Sequence, residues 1–148
     1  MESAFRIGSS ADLETLLSLA RAFYQHERLA FDEAKARAAF KLLLDNAQLG
    51  RVWLILADGA PVGYFVLTFG FSIEYGGRDA ILDEIYIDER HRSRGLGTRA
   101  LRLAEEACRE SGVGALHLEV ERWNTSAQAF YRAHEFIDHD RYFMTKDV

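Results

Sequence analysis

The chain has 148 residues, a formal net charge of −5 at pH 7 and a single cysteine. This length suits one domain with a substantial core, the negative charge argues against nucleic acid as the main partner, and one cysteine excludes an internal disulfide. No apolar run reaches transmembrane length, and Met1 to Ile7 lacks the regions of a signal peptide, so we expect a cytoplasmic domain over residues 1–148. The five histidines lack metal-ligand spacing, so we expect no metal site.

The N-terminal half predicts a strand, two helices and a hairpin. A short strand over residues 5–7 is followed by amphipathic helices over residues 11–26 and 32–46. Alternating apolar residues then predict two strands, over residues 52–57 and 62–71, joined at a turn of aspartate and glycine.

The C-terminal half alternates strands with helices. Residues 80–87 read as a strand and are followed by a polar loop and an amphipathic helix over residues 96–109. A strand over residues 115–122, a helix beginning near Asn124 and a last strand over residues 139–145 complete the predicted order.

The polar loop after residues 80–87 is the most informative segment. Two arginines flank two glycines at the start of a helix, where the first backbone N–H groups lack internal partners and attract anions. This pattern predicts a site for a diphosphate. Its candidate binding residues are Arg92, Ser93, Arg94, Gly95, Leu96, Gly97 and Thr98.

Three known phosphate-binding loops compete for this pattern. A Walker loop requires Gly-Lys-Ser/Thr, which does not occur in the sequence. The dinucleotide fingerprint fits Gly95, Gly97 and Ala100, with Glu119 at a suitable distance for a ribose contact. However, a long polar insertion separates these glycines from the preceding strand, and too little chain follows for further βα units. The third pattern, R/Q-x-x-G-x-G/A, fits Arg92, Gly95 and Gly97 without these conflicts.

Two motifs together resemble the GNAT superfamily of N-acetyltransferases. The R/Q-x-x-G-x-G/A loop is followed, after one helix and one strand, by Asn124 to Tyr131, which fit N-x-x-A-x-x-F-Y. The stretch is most similar to the small-amine branch that includes the spermidine/spermine acetyltransferases. The resemblance implies a single-domain α/β (α+β) GNAT fold, with about four helices around a mixed sheet of about six to seven strands. Ser93 and Glu135 depart from the family pattern, which often has glycine at both positions.

The resemblance also implies that acetyl-CoA is the cosubstrate. Its diphosphate would lie on residues 92–98, and backbone groups of Ile85 and Ile87 would pair with the pantetheine arm like an added strand. The further implied cofactor contacts are Tyr86, Asn124, Ser126, Ala127 and Phe130.

Acetyl transfer to an amine needs a base for the amine proton and a donor for the leaving thiolate. Tyr131 resembles the family's general acid. Asp83 and Glu84 are the candidates for a base that acts through water, and as strand neighbours they are expected on opposite faces. We favour Glu84 for its longer side chain and retain Asp83 as the alternative.

The acceptor is predicted to be a small cationic amine, with a protein amine as the alternative. Glu74 and Asp79 lie in and beside a glycine-containing loop before the fourth strand, where an acidic rim would attract a cation. The resemblance also implies a homodimer. The competing function is a non-catalytic acyl-CoA-binding module that uses the same loop.

Overall fold

A computed structural model describes residues 2–148. They form five strands and four helices, with single 3-10 turns before the first and third helices. The strands are β1 (Ser3–Ile7), β2 (Gly50–Ala57), β3 (Ala60–Ser72), β4 (Gly77–Ile87) and β5 (Ala115–Leu118). The helices are α1 (Leu13–His26), α2 (Glu33–Asp45), α3 (Leu96–Glu110) and α4 (Thr125–Ala133). None of these helices is long and apolar enough to cross a membrane.

The five strands form one mixed sheet in the order β1-β2-β3-β4-β5. Neighbours from β1 to β4 are antiparallel, whereas β4 and β5 are parallel. Successive strand residues point to opposite faces, so Leu54 and Tyr64 pack in the core beneath α1 and α2. Ile55 and Phe65 pack in the opposite core, beneath α3. The predicted mixed α/β architecture is confirmed.

A β-bulge interrupts β4 at Asp83. Val66 lies opposite Glu84 and its neighbour Leu67 lies opposite Leu82, which leaves Asp83 as the extra residue. Before the bulge Leu82 faces the α3 core, and after it Ile85 faces the same core. The bulge therefore changes which alternate residues face α3, and the simple strand rule that put Asp83 and Glu84 on opposite faces does not apply here.

A cleft opens where β4 and β5 separate. Their pairing ends at Leu82 and Leu118, although β4 continues to Ile87. The predicted strand over residues 115–122 is thus shorter than expected. Its early end leaves one edge of β4 unpaired over residues 83–87, between the two halves of the molecule.

The predicted final strand over residues 139–145 is wrong, and the sheet within residues 2–148 has five strands rather than six or seven. This segment is tied down by side chains instead, through His139 to Tyr75 at 3.1 Å and Arg141 to Glu74 at 2.7 Å. Tyr142 and its two following neighbours are exposed. Strand-forming residues favour a pleated, half-buried surface. The side-chain contacts of residues 139–145 do not provide such a surface, so the segment forms no strand.

Candidate active site

The third helix begins as the anion-binding pattern predicts. Gly95 precedes α3 with φ of 78°, a left-handed conformation that glycine adopts without a steric penalty. The first backbone hydrogen bond of this turn runs from the Arg99 N–H to the Gly95 carbonyl at 3.1 Å. The N–H groups of Leu96, Gly97 and Thr98 therefore lie in the first turn, where a helix offers them no internal acceptor.

Arg92 ties this loop to the end of β4. Its Nε donates to the Ile87 carbonyl at 2.8 Å, and its guanidinium lies 5.9 Å from the centre of the Tyr86 ring. Ser93 follows with φ of 61°, and both Ser93 and Arg94 are exposed. The predicted phosphate-binding residues are thus brought together at one end of the cleft.

Gly97 lies where α3 and α4 pack closely against each other. A Cβ atom at this position would lie 3.1 Å from Cζ of Phe130, tighter than ordinary van der Waals contact. Phe130 also packs against the α3 core. The second helix of the motif therefore rests on the first turn of α3.

His134 adds a polar contact at the same place. Its Nδ1 lies 2.8 Å from the Phe130 carbonyl, which can only accept, so Nδ1 carries the proton. Nε2 lies 3.1 Å from the Thr98 hydroxyl and, in the neutral ring, accepts its proton. The sequence analysis did not identify His134, because nothing in its local pattern indicates a partner 36 residues away.

The open edge of β4 presents alternate backbone groups. Asp88 N–H donates to the Val62 carbonyl on β3 at 2.8 Å, and the Tyr86 carbonyl also faces β3. In a strand, alternate residues direct their backbone groups to opposite edges, so those of Ile85 and Ile87 face the cleft. The backbone groups of Tyr86 face β3 instead of the cleft. The centre of the Tyr86 ring lies 6.2 Å from the centre of the Phe23 ring, on the face of the sheet that α1 covers.

Glu84 is held by two tyrosine hydroxyl groups. Tyr24 donates to one carboxylate oxygen at 2.6 Å and Tyr64 donates to the other at 2.9 Å. Burial raises the pKa of Glu84, and these two hydrogen bonds oppose that increase. Both tyrosines are far from Glu84 in the chain, so no local sequence pattern indicates this cluster.

Asp83 is more accessible than Glu84. The residue is exposed, although the protein atoms around its carboxyl group still raise its pKa by desolvation. Its charge raises the pKa of Glu84 and of Glu119, so the bulge brings Asp83 near both of these groups.

Tyr131 lies at the end of α4, in a Schellman motif. The Phe136 N–H donates to the Tyr131 carbonyl at 3.1 Å and the Glu135 N–H donates to the Arg132 carbonyl at 3.1 Å. The Tyr131 and Phe136 rings pack with their centres 5.7 Å apart. Burial raises the pKa of Tyr131 to about 12, with a smaller contribution from the charge of Glu27.

Asn124 caps α4, since its side-chain oxygen accepts from the Ala127 N–H at 3.2 Å. The Ser126 hydroxyl donates to the same oxygen at 3.3 Å. Ser126 is exposed, whereas Ala127 is partly buried. The four predicted contact residues from Asn124 to Phe130 therefore share one helix start, and their roles in cofactor binding stay a prediction.

Glu74 and Asp79 lie away from the cleft. Glu74 forms a two-point ion pair with Arg141, at 2.9 and 2.7 Å. Asp79 pairs with His117 at 3.2 Å and sits near the start of β4, four residues before the bulge. Both carboxylates thus have basic partners, which weakens the acidic rim that the sequence predicted there.

Three further carboxylates, of which the sequence analysis named only Glu119, interact with one another between the end of α1 and the bulge. Desolvation raises the pKa of Glu27 at the end of α1, and the charge of Glu121 adds to this effect. The pKa of Glu119, just after β5, is likewise raised by burial and by the charges of Asp83 and Glu121. Acidic side chains from α1, β4 and the segment after β5 therefore influence one another across the cleft.

The comparisons with known proteins point to one family. The model of the acetyltransferase (GNAT) family matches residues 14–136. The chain is 31% identical over 85 residues to thialysine N-epsilon-acetyltransferase from Bos taurus, which covers 54% of this chain and 49% of that protein. It therefore spans about half the length of the curated mammalian relatives it matches.

Solved structures agree in fold. An integron cassette protein from the mobile metagenome of Cole Harbour Salt Marsh is 34% identical, with a TM-score of 0.85 over 97% of this chain and 90% of that chain. An aminoglycoside N-acetyltransferase in complex with CoA superposes with a TM-score of 0.86 at 15% identity, over 99% of this chain and 95% of that one. At that identity the likeness concerns the fold alone.

Proposed function

Since the chain belongs to the acetyltransferase (GNAT) family, we propose that it transfers the acetyl group of acetyl-CoA to a primary amine. The observation that carries this proposal is the unpaired edge of β4, which runs from the Asp83 bulge toward the first turn of α3. The cleft-facing backbone groups of Ile85 and Ile87 suit the amides of a pantetheine arm. The free N–H groups before Arg99 suit a diphosphate.

The accessibility of Asp83 supports it as the base, in place of the Glu84 favoured from sequence. Asp83 accepts the amine proton through water, the amine nitrogen forms a bond to the thioester carbon, and the carbon–sulfur bond breaks. The raised pKa of Asp83 makes its carboxylate a better proton acceptor than an ordinary aspartate.

Tyr131 assists the departing thiolate. With a pKa of about 12 its phenol is protonated at neutral pH. It is also a weaker acid than a thiol, whose pKa is about 8.5. We therefore expect a hydrogen bond from the phenol to the sulfur to be its main contribution, with complete proton transfer less favourable.

The acceptor that we propose is a small cationic amine. The charges of Asp83 and Glu121 both raise the pKa of Glu119, and this group of carboxylates beside the cleft would attract a cation. The relative named for thialysine acts on an amine of this kind. A protein amine is the competing acceptor. We also propose a homodimer, supported by exposed apolar side chains such as Phe71 and Phe143.

Replacement of Tyr131 tests this function. The test is release of free thiol from acetyl-CoA with a panel of polyamines, aminoglycosides, lysine analogues and peptides. In Tyr131→Phe we expect kcat to fall at least about tenfold, because the leaving sulfur loses its donor, with acetyl-CoA affinity unchanged. Tyr142→Phe is the matched control, since Tyr142 is 86% exposed.

Two results would contradict the proposal. Binding of acetyl-CoA without thiol release for any acceptor would favour the acyl-CoA-binding module. Equal turnover in Tyr131→Phe and Tyr142→Phe would exclude Tyr131 from the reaction.

A further inference from the structure

Glu84 joins three elements of the fold through its two carboxylate oxygens. Tyr24 reaches it from α1 and Tyr64 reaches it from β3, at 2.6 and 2.9 Å. The Tyr64 residue is completely buried. Burial of a carboxylate is costly unless hydrogen bonds compensate its lost hydration, and two phenol donors supply that compensation for the partly buried Glu84.

The contact lies directly beside the bulge. Glu84 is the first paired residue after the extra residue Asp83, and it faces Val66 across the β3–β4 ladder. Bulges bend a strand locally and redirect its side chains. The position of Asp83 therefore depends on what holds its neighbour in place.

The surroundings of the cluster keep both phenol groups protonated, so that they can donate hydrogen bonds. Desolvation and the nearby carboxylates raise the pKa values of Tyr24 and Tyr64, so both hydroxyl groups stay protonated at neutral pH. Asp83 is the charged group that acts on all three members of the cluster.

We propose that Tyr24, Tyr64 and Glu84 form a positioning network that fixes the β4 bulge and directs the Asp83 carboxylate into the cleft. The inference rests on the proposed function, because it assigns Glu84 a role that serves the base Asp83. Each Glu84 oxygen already accepts a hydrogen bond from a phenol, whereas desolvation alone shifts the pKa of the Asp83 carboxylate, with no hydrogen bond to it from residues 2–148. Glu84 is thus the anchored carboxylate and Asp83 the available one.

The network also links α1 to the chemistry. Tyr24 lies in the last turn of α1, three residues before Glu27. The pKa of Glu27 is raised in part by the charge of Glu121, which follows β5. Tyr24 therefore connects the predicted acceptor side of the cleft with the strand that bears Asp83. This connection predicts that Tyr24 affects turnover more than it affects acetyl-CoA binding.

The test compares the pH dependence of thiol release in four variants. We expect Asp83→Asn to lower kcat about a hundredfold and to remove the acidic limb of the kcat/KM profile. In Glu84→Gln the limb should remain, because Asp83 is still present as the base, while kcat falls because the carboxylate that anchors the bulge is lost. We expect Tyr24→Phe to lower kcat about tenfold with the KM for acetyl-CoA unchanged. Tyr142→Phe is the exposed control, and circular dichroism checks that each variant folds.

The outcomes separate this proposal from the general function. If wild-type protein binds acetyl-CoA but releases no thiol with any amine, the acetyltransferase proposal fails and the network has no reaction to serve. If wild-type protein turns over but Glu84→Gln loses the acidic limb and Asp83→Asn retains it, Glu84 is the base and only the positioning role is overturned. A kcat of Tyr24→Phe equal to that of Tyr142→Phe would also overturn the positioning role.

Discussion

At the residue scale, a single tautomer decides what Thr98 offers to a ligand. The Phe130 carbonyl fixes the proton of His134 on Nδ1, so in the neutral ring Nε2 accepts a hydrogen bond from the Thr98 hydroxyl. The hydroxyl proton therefore points toward α4 rather than out of the first turn of α3. An anion at this turn would meet the backbone N–H of Thr98, as the motif predicts, without a hydroxyl donor.

Replacement of Thr98 by valine separates these two roles. Thr98→Val removes the hydroxyl and leaves Nε2 of His134 without its donor, so we expect the free energy of unfolding in urea to fall by about 1 kcal/mol. Calorimetric affinity for acetyl-CoA should stay within about twofold, since the backbone N–H is retained. Thr98→Ser keeps the hydroxyl and serves as the control. A large loss of affinity in Thr98→Val alone would show that the hydroxyl contacts the ligand.

At the element scale, three helices end in the same way with different residues. α1, α3 and α4 each finish in a Schellman motif, with Arg28, Gly112 and Glu135 at the left-handed position. Glycine adopts this conformation freely, whereas other residues are strained by their Cβ atoms. The backbone strain at Arg28 is offset by a cation–π contact, since its guanidinium lies 4.1 Å from the centre of the Trp123 ring. Glu135 is exposed and carries the strain at the end of the helix that holds Tyr131.

Relief of that strain should stabilise the protein. Glu135 and Gly112 share a φ of 70°, so we expect Glu135→Gly to raise the free energy of unfolding by about 1 kcal/mol. Gly112→Ala is the matched reverse change and should lower it by a similar amount, because an added Cβ there meets no neighbour and only the backbone conformation matters. Urea titrations of both variants measure the difference. A destabilised Glu135→Gly variant would mean that the Glu135 side chain contributes more than its backbone strain costs.

At the scale of the whole molecule, the cleft joins the two halves of the sheet. β4 is held by β3 along its whole length but by β5 only up to Leu82. The loop that Arg92 anchors lies at one end of this opening, and the carboxylates around Asp83 lie along it. A ligand that spans the opening would contact both halves and favour the folded state.

Acetyl-CoA should therefore raise the melting temperature. At a concentration about a hundred times its Kd, a ligand that binds only the folded state adds about 2.7 kcal/mol of stability. We expect this shift in differential scanning fluorimetry with acetyl-CoA and CoA, and none with NADH. Stabilisation by NADH but not by CoA would support the dinucleotide interpretation of the glycine loop instead.

The sequence by itself determined the parts of the protein that depend on neighbouring residues. Helix periodicity, the glycines before and within the first turn of α3 and the asparagine cap of α4 act over a few positions, so their pattern is visible in the chain. This local information was enough to indicate the family and to predict a phosphate site at the first turn of α3. It also indicated that Ser93 and Glu135 stand where glycine is usual, and both adopt positive φ in the structure.

Only the tertiary structure decided how distant groups meet. The bulge at Asp83 exists because β3 and β4 pair with a shifted register, and Glu84 is anchored by tyrosines 60 and 20 residues away. The contact between His134 and Thr98 also joins groups that are distant in the chain. Residues 139–145 were predicted to form a strand, but they pair with no other strand within residues 2–148. Register, burial and long-range hydrogen bonds are properties of packed elements, so no local pattern contains them.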